Sequence, residues 1–480
     1  MELLLIPLAL TLVSLIIPKD FVKYFALLGA LASLVFGIGH LCTYDVNSGF
    51  TYIFNPEFQQ AFGLTFNMGY DGMGLIMILL TSVIIPLVLL SNFNREIGSN
   101  KAFVSMVFLF QFALIGVFTA LDGMLFYIFW EITLVPVFLI ALWFGSAERK
   151  KALIKFFIYT FVGSLGMLAS LITIKVYASD FSYESLMAVT LTSKAAFWVM
   201  GGFFLAFAIK IPLFPFHTWQ PETYTIAPMG GTMLLSALML KMALYGMIRW
   251  MIPLAPEALE EWLVPGIILA LIGIVYAAIM AIKQDDIKRL FAMASISHVG
   301  LIAAGALLWN KDSLSAVYLQ MINHSLVAVG LFLAAGILED RTNSRSLAEL
   351  GGVAKLAPKF GFWFAVIGFA SVSVPFSSGF IGEFLLLKEL YTYQWIIGLV
   401  AGTTLVFGAV YTLRAYQLSM FGAPKLTEFK DLSWNEWAVF FILGISILFL
   451  GLFPQEVFKI VGPSIDTLMN TINESQNIIK

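Results

Sequence analysis

Cysteine occurs once in the 480 residues, at Cys42. A single cysteine excludes an intrachain disulfide and a cysteine-ligated iron–sulfur cluster. Charge is also scarce, at 12% of residues, about half the share of an ordinary soluble domain. The net charge is only −2, and no basic stripe marks a nucleic-acid surface. There is no glycine-rich nucleotide loop. The glycines are scattered through apolar stretches, where close helix packing accounts for them. What fills the chain is hydrophobic residue, 60% of the total, in runs of about 17 to 25 residues that suffice to cross a bilayer core.

Backbone groups in lipid must be satisfied within the segment, so such runs are helices. About fourteen spans are expected, near 2–18, 21–40, 71–91, 102–120, 123–144, 152–176, 195–220, 225–250, 263–282, 289–309, 314–338, 361–387, 395–417 and 436–453. The first follows an acidic Glu2 and has no Ala-x-Ala site after it, so it reads as a span rather than a signal peptide. The stretch from Thr43 to Tyr70 is aromatic and polar, and reads as an external loop. Lysine and arginine gather on one set of loops, including Lys19, Lys23, Arg149, Lys150, Lys151, Lys288, Arg289, Arg341 and Arg345. The excess of positive residues in cytoplasmic loops then places both termini on the non-cytoplasmic side.

Four charged residues lie deep inside spans. Glu131 sits in GMLFYIFWEITLVPVFLI and Lys241 in GGTMLLSALMLKMALYGMIRW. A charge at that depth costs roughly 2.5 kcal/mol or more by insertion estimates, unless it faces a partner or water. Lys210, in FFLAFAIKIPLFPFHTWQPE, is followed by Pro212 and Pro215, which remove backbone donors and break the helix. Glu383, in FASVSVPFSSGFIGEFLLLKEL, follows a second break made by Pro375, Ser377, Ser378 and Gly379. Arg249 reads as an outer anchor or a local ion-pair partner, and Lys388 as an interfacial lysine. The breaks fall in the seventh and twelfth spans. That spacing fits an all-α polytopic fold of two inverted five-helix repeats, with discontinuous helices near the bilayer midplane. The units would be 1–101 (spans one to three and the loop), 102–250 (first repeat), 263–417 (second repeat) and 436–480 (last span and tail).

Four histidines complete the polar inventory. His40 ends a span without evident role. His217, His298 and His324 can exchange protons near neutral pH, and with Ser295, Ser297 and Asn323 they form a patch that could link the lysines to Glu383. A lysine–carboxylate–imidazole set suits proton relay, because each group holds or releases one charge and shifts its neighbours' balance. Glu131, Lys210 and Lys241 form no metal-ligand set. A purely structural scaffold of locked charges is the bland alternative.

Read together, YIFWEITLVPVFLI, AFAIKIPLFPFHTWQPETYTIAP, LLSALMLKMALYGMIR, IKRLFAMASISHVG, INHSLVAVGLFLAAGILEDRTNSR and FSSGFIGEFLLLKE resemble one family. It is that of the antiporter-like membrane subunits of proton-pumping NADH–quinone oxidoreductase, respiratory complex I, with related multisubunit Na⁺/H⁺ antiporter subunits. The resemblance runs from about residue 70 to 450. It implies that Glu131 is the carboxylate of the fifth helix, Lys210 the lysine of the broken seventh, and Lys241 the central lysine of the eighth. Glu383 would hold the terminal exchange position of the twelfth, with His298 and His324 as relays. By the same resemblance Glu131 pairs with Lys210. No cofactor is expected on this chain; FMN, iron–sulfur clusters and quinone would belong to partner subunits. The implied partners are neighbouring antiporter-like subunits of a membrane arm, lipids, and indirectly a peripheral NADH-oxidising arm.

Overall fold

The computed structural model describes residues 1–54 and 65–477, without the side chains of 473–477. Setting aside helices of one or two turns, the chain runs α1 (Glu2–Ile16), α2 (Val22–Thr43), α3 (Gly72–Ser91), α4 (Lys101–Thr119), α5 (Gly123–Phe144) and α6 (Arg149–Lys175). It continues with α7 (Ser193–Lys210), α8 (Trp219–Ile226), α9 (Met229–Leu254), α10 (Leu259–Ile282), α11 (Ile287–Leu307) and α12 (Lys311–Thr342). The last five are α13 (Pro358–Ser371), α14 (Ser378–Tyr393), α15 (Trp395–Met420), α16 (Trp434–Leu452) and α17 (Gln455–Asn477). Twelve of the described helices are long and apolar enough to cross a membrane singly. The fifteen-residue α1 and the α13–α14 pair make up the remaining expected spans.

Both expected breaks are present, α7 ending at Lys210 and α13 at Ser371. A third interruption, at Thr133 within α5, was not expected. Pro136 explains it, because its ring nitrogen cannot donate to the Ile132 carbonyl. The loop between α2 and α3 contains a pair of short strands, Thr51–Phe54 against Met68–Tyr70, in antiparallel register.

The core forms around α9 and α12. Every residue of α9 is buried. The long α12 packs against α11, α13, α14, α16, α17 and the first half of α9. Outer helices such as α2, α6 and α15 instead turn Leu28, Val35, Ile154, Ile158, Leu399 and Val406 outward, as lipid or a neighbouring membrane subunit requires. Residues 455–477, read from sequence only as a tail, form α17. Its Val457, Val461, Ile465, Leu468 and Ile472 make one buried apolar stripe at helical spacing. Gly72 lets α17 come this close, since a Cβ there would stand 1.9 Å from the Ile460 carbonyl oxygen.

The two halves carry the same local device. Asp122 caps the start of α5, accepting from the amides of Met124 and Leu125 at 2.9 Å, and bridges backbone to backbone with Ser182. Asp286 caps α11 in the same way, accepting from Lys288 and Arg289, and bridges to Ser346. The spacing between partners is identical in both. An odd number of spans separates the two caps, so they stand at opposite ends of the bundle, as an inverted repeat demands.

Candidate functional site

The first break sets Lys210 at the carboxyl end of a helix. Pro212 cannot donate to the Ala208 carbonyl, and Leu213 takes over that bond at 2.8 Å. The freed carbonyl of Ile209 is met by the Trp219 indole N–H, also at 2.8 Å. The loose ends of a helix inside a membrane are thus satisfied by protein. Lys210 is 2% exposed and adjoins these carbonyls, where a cation is favoured by about 0.3–1 kcal/mol. Its Nζ lies 5.1 Å from the centroid of the Trp130 ring.

Among the described residues Glu131 and Lys210, expected to pair, are joined by no hydrogen bond or ion pair. Glu131 is half-buried, while Trp130 takes the contact position over Lys210. Adjacent residues on α5 point about 100° apart, so the helix presents its indole to Lys210 and turns the carboxylate aside.

Lys241 is fully buried in the middle of α9, between two wide π turns at Leu235–Met239 and Met247–Met251. Such turns are rare and concentrate at functional positions. Nothing in the residue pattern signalled them. Lys241 Nζ donates to the Ser236 carbonyl at 2.9 Å and contacts His324 Nδ1 at 2.7 Å. On the far side of that ring, His324 Nε2 lies 3.0 Å from Ser295 Oγ. An ammonium has donors and no acceptor, so charged Lys241 requires Nδ1 to accept. The Nε2 hydrogen of the neutral ring is then directed to Ser295.

A second polar cluster surrounds Glu383. Its Oε1 lies 2.8 Å from His298 Nδ1 and accepts from Gln320 Nε2 at 3.1 Å. His298 Nε2 in turn meets the Tyr411 hydroxyl at 2.9 Å. The break before α14 supplies the position. Ser377 caps the new helix, and Ser378 donates to Asn323 at 2.7 Å. Gly382 lies so close to α12 that a Cβ would stand 2.4 Å from Gln320 Oε1. The pressure of α14 on α12 is what brings Glu383 to Gln320.

A cavity of about 30 Å³ separates the clusters, lined by Ser295, His298, Gln320, Asn323, His324 and Glu383 among others. That is room for roughly one water molecule. Lys241, His324, His298 and Glu383 therefore form two hydrogen-bonded segments facing one small cavity, whose wall also includes Phe291, Val327, Leu331 and Phe332. His217 does not join them. It is buried, stacked on Phe214 and edge-on to Tyr276, and its Nδ1 has no hydrogen-bond partner among the described residues. Arg249 makes a buried ion pair with Asp71 at the start of α3. Asp71 escaped the sequence reading because it borders a loop and its partner is far along the chain; an aspartate just before an apolar run was the available signal. His40, given no role, contacts the Tyr70 hydroxyl at 2.7 Å.

A buried set of exchangeable charges between two broken helices defines the antiporter-like class of membrane transporters. The family model described as NADH:quinone oxidoreductase/Mrp antiporter, TM, matches residues 120–408, and the chain belongs to this family. Among its relatives is NADH-quinone oxidoreductase subunit M of Rickettsia conorii, 32% identical over 455 residues, covering 94% of this chain and 92% of the relative. The subunit M of Rhodobacter capsulatus is 32% identical over 464 residues, covering 93% and 90%. A chain of respiratory complex I from Thermus thermophilus superposes with a TM-score of 0.90 at 29% identity, covering 98% of this chain and 99% of that one. A chain of the Mrp complex from Dietzia shares the fold, with a TM-score of 0.86 at 18% identity, covering 100% and 99%.

Proposed function

We propose that the chain is a subunit-M-type, proton-translocating module in the membrane arm of an NADH:quinone oxidoreductase. The observation that carries this reading is the 2.7 Å contact of Lys241 with His324 in the centre of the bundle. It opens a line of exchangeable groups through Ser295 and the small cavity to His298 and Glu383. The fully buried Lys241 is the midplane carrier. Protonated, it donates to His324; deprotonated, it accepts. Glu131 and Lys210 form the control element. A change in either charge alters the electrostatic bias on the carrier without any metal or redox group on this chain. Glu383 is an outlet toward the external side. Glutamate at this position is what the resemblance expects of subunit M, in contrast to a lysine in its sister subunits.

Driving energy comes from partner subunits, which hold the FMN, the iron–sulfur clusters and the quinone. Neighbouring antiporter-like subunits and lipids cover the outward apolar faces. The chain lies in a bacterial cell (inner) membrane with both termini on the non-cytoplasmic side.

Reconstitution of the assembled enzyme tests the reading. Lys241→Ala is expected to assemble and to lose most NADH-driven proton pumping. Full pumping stoichiometry in that variant overturns the relay. The shared fold with the Mrp complex supports a second reading, a multisubunit Na⁺/H⁺ antiporter subunit. Purification of the native assembly separates them: flavin and iron–sulfur partners favour the first, while their absence together with Na⁺-driven proton exchange establishes the second.

A further inference from the structure

Beyond Lys241, α9 continues outward to groups that the relay just described does not use. Tyr245 and Arg249 follow Lys241 at successive four-residue steps, so the three share one side of the helix within the distortion of the second π turn. On the neighbouring α12, Tyr318 stands in the same direction from His324, toward the end where Lys311 pairs with Asp466 of α17 at 2.5 Å. Along the core the order is Lys241 with His324, then Tyr245, whose hydroxyl donates to the Phe118 carbonyl at 3.3 Å, and then Arg249 with Asp71. Eight residues separate Lys241 from Arg249, about 12 Å along an α-helix.

The Arg249–Asp71 pair meets a large cavity. Its volume is about 750 Å³, and its lining includes Asn47, Asp71, Glu184, Arg249, Ser464 and Asp466. The α17 helix and the loop just before Thr51 contribute to its lining. Asp71 and Arg249 are 5% and 2% exposed, and they pair across the inner end of this cavity. Phe50, Tyr183 and Tyr245 surround the guanidinium, their ring centroids 5.1, 5.7 and 5.9 Å away. Three buried polar atoms in this region have no hydrogen-bond partner among the described residues, Arg249 Nε, the Trp250 indole nitrogen and the Tyr318 hydroxyl. An unpartnered hydroxyl in a core costs about 1–3 kcal/mol, and phenylalanine would fill the same volume without that cost. A tyrosine kept there points to a use for its oxygen.

We propose that Asp71 is a second outward release group for the proton carried by Lys241, reached through the hydroxyls of Tyr245 and Tyr318. This inference rests on Lys241 being the carrier. Net transfer turns the Lys241 ammonium into an amine and the Asp71 carboxylate into a carboxylic acid. Asp71 then yields the proton to water in the outer cavity and is again a carboxylate. Arg249 gives the step its direction. Its fixed positive charge opposes a lasting proton on Asp71 and repels cations approaching from the cavity, as an arginine does in selective pores. Aromatic rings hold the guanidinium in place during the moment when its partner is neutral.

The test uses the assembled enzyme in proteoliposomes and reads NADH-driven proton flux. Tyr318→Phe removes only an oxygen with no protein partner, so a structural role predicts unchanged flux and unchanged or slightly greater stability. The expected result is loss of more than half of the flux in Tyr318→Phe and in Asp71→Asn, with recovery in Asp71→Glu. Asn keeps the oxygen that accepts from the Gly74 amide, which preserves the cap of α3. If Asp71→Asn fails to assemble, Tyr318→Phe decides alone. Wild-type flux in Tyr318→Phe beside lost flux in Lys241→Ala overturns this route and leaves the carrier intact. Wild-type flux in Lys241→Ala overturns both.

Discussion

Lys241 and His324 meet at 2.7 Å in the core, Lys241 fully buried and His324 open only to the small cavity beside it. They come from helices 83 positions apart in the chain. The contact constrains proton position, because a charged lysine makes the imidazole a neutral acceptor at Nδ1 and hence a donor at Nε2. The two rings of the relay are oriented differently, His324 by a lysine and a serine, His298 by a carboxylate and a tyrosine.

That orientation predicts a graded outcome at Ser295. Ser295→Ala leaves the His324 Nε2 hydrogen without its partner, a loss worth about 1–3 kcal/mol. The assembled enzyme is expected to pump more slowly, while His324→Ala pumps least. Proton flux in proteoliposomes checks the order. Equal, unimpaired flux in both would remove His324 from the path.

Glu131 forms no ion pair with Lys210 among the described residues, so the control proposed for it is electrostatic. Glu131→Gln keeps the shape and removes the charge, so severe loss of coupled activity is expected. Glu131→Asp keeps the charge and should retain part of the activity. NADH oxidation coupled to pumping is the measurement, and wild-type turnover in Glu131→Gln counts against electrostatic control.

Gly382 tests whether helix approach positions Glu383. A Cβ at this point meets Gln320 Oε1 at 2.4 Å, and the branched Gly382→Val adds two further methyl groups. The expected cost is about 1–3 kcal/mol of overpacking, with Glu383 displaced from Gln320 and pumping reduced. Thermal unfolding in detergent together with flux measures both effects. Normal stability would show that α14 has slack.

Cys42 offers a direct reading of sidedness, being exposed near the end of α2 and the sole cysteine of the chain. With both termini non-cytoplasmic, a membrane-impermeant maleimide should label it in spheroplasts and not in sealed inverted vesicles. The reverse pattern inverts the topology.

The sequence alone settled whatever one helix at a time can settle. A lipid solvent makes charge and broken backbone expensive at each position, so Lys210, Lys241, Glu131 and Glu383 stood out from apolar surroundings before any neighbour was known. Pro212 and Pro375 marked the breaks for the same local reason. Partnership was decided only by the tertiary structure. Trp130 and not Glu131 lies against Lys210, His217 lies apart, and Asp71 finds Arg249 across most of the first half of the chain. The π turns around Lys241 carry no local signature, and α17 escaped because its apolar stripe is too sparse to read as a span. Which buried groups meet depends on how distant helices press together, and that pressure is encoded in no single segment.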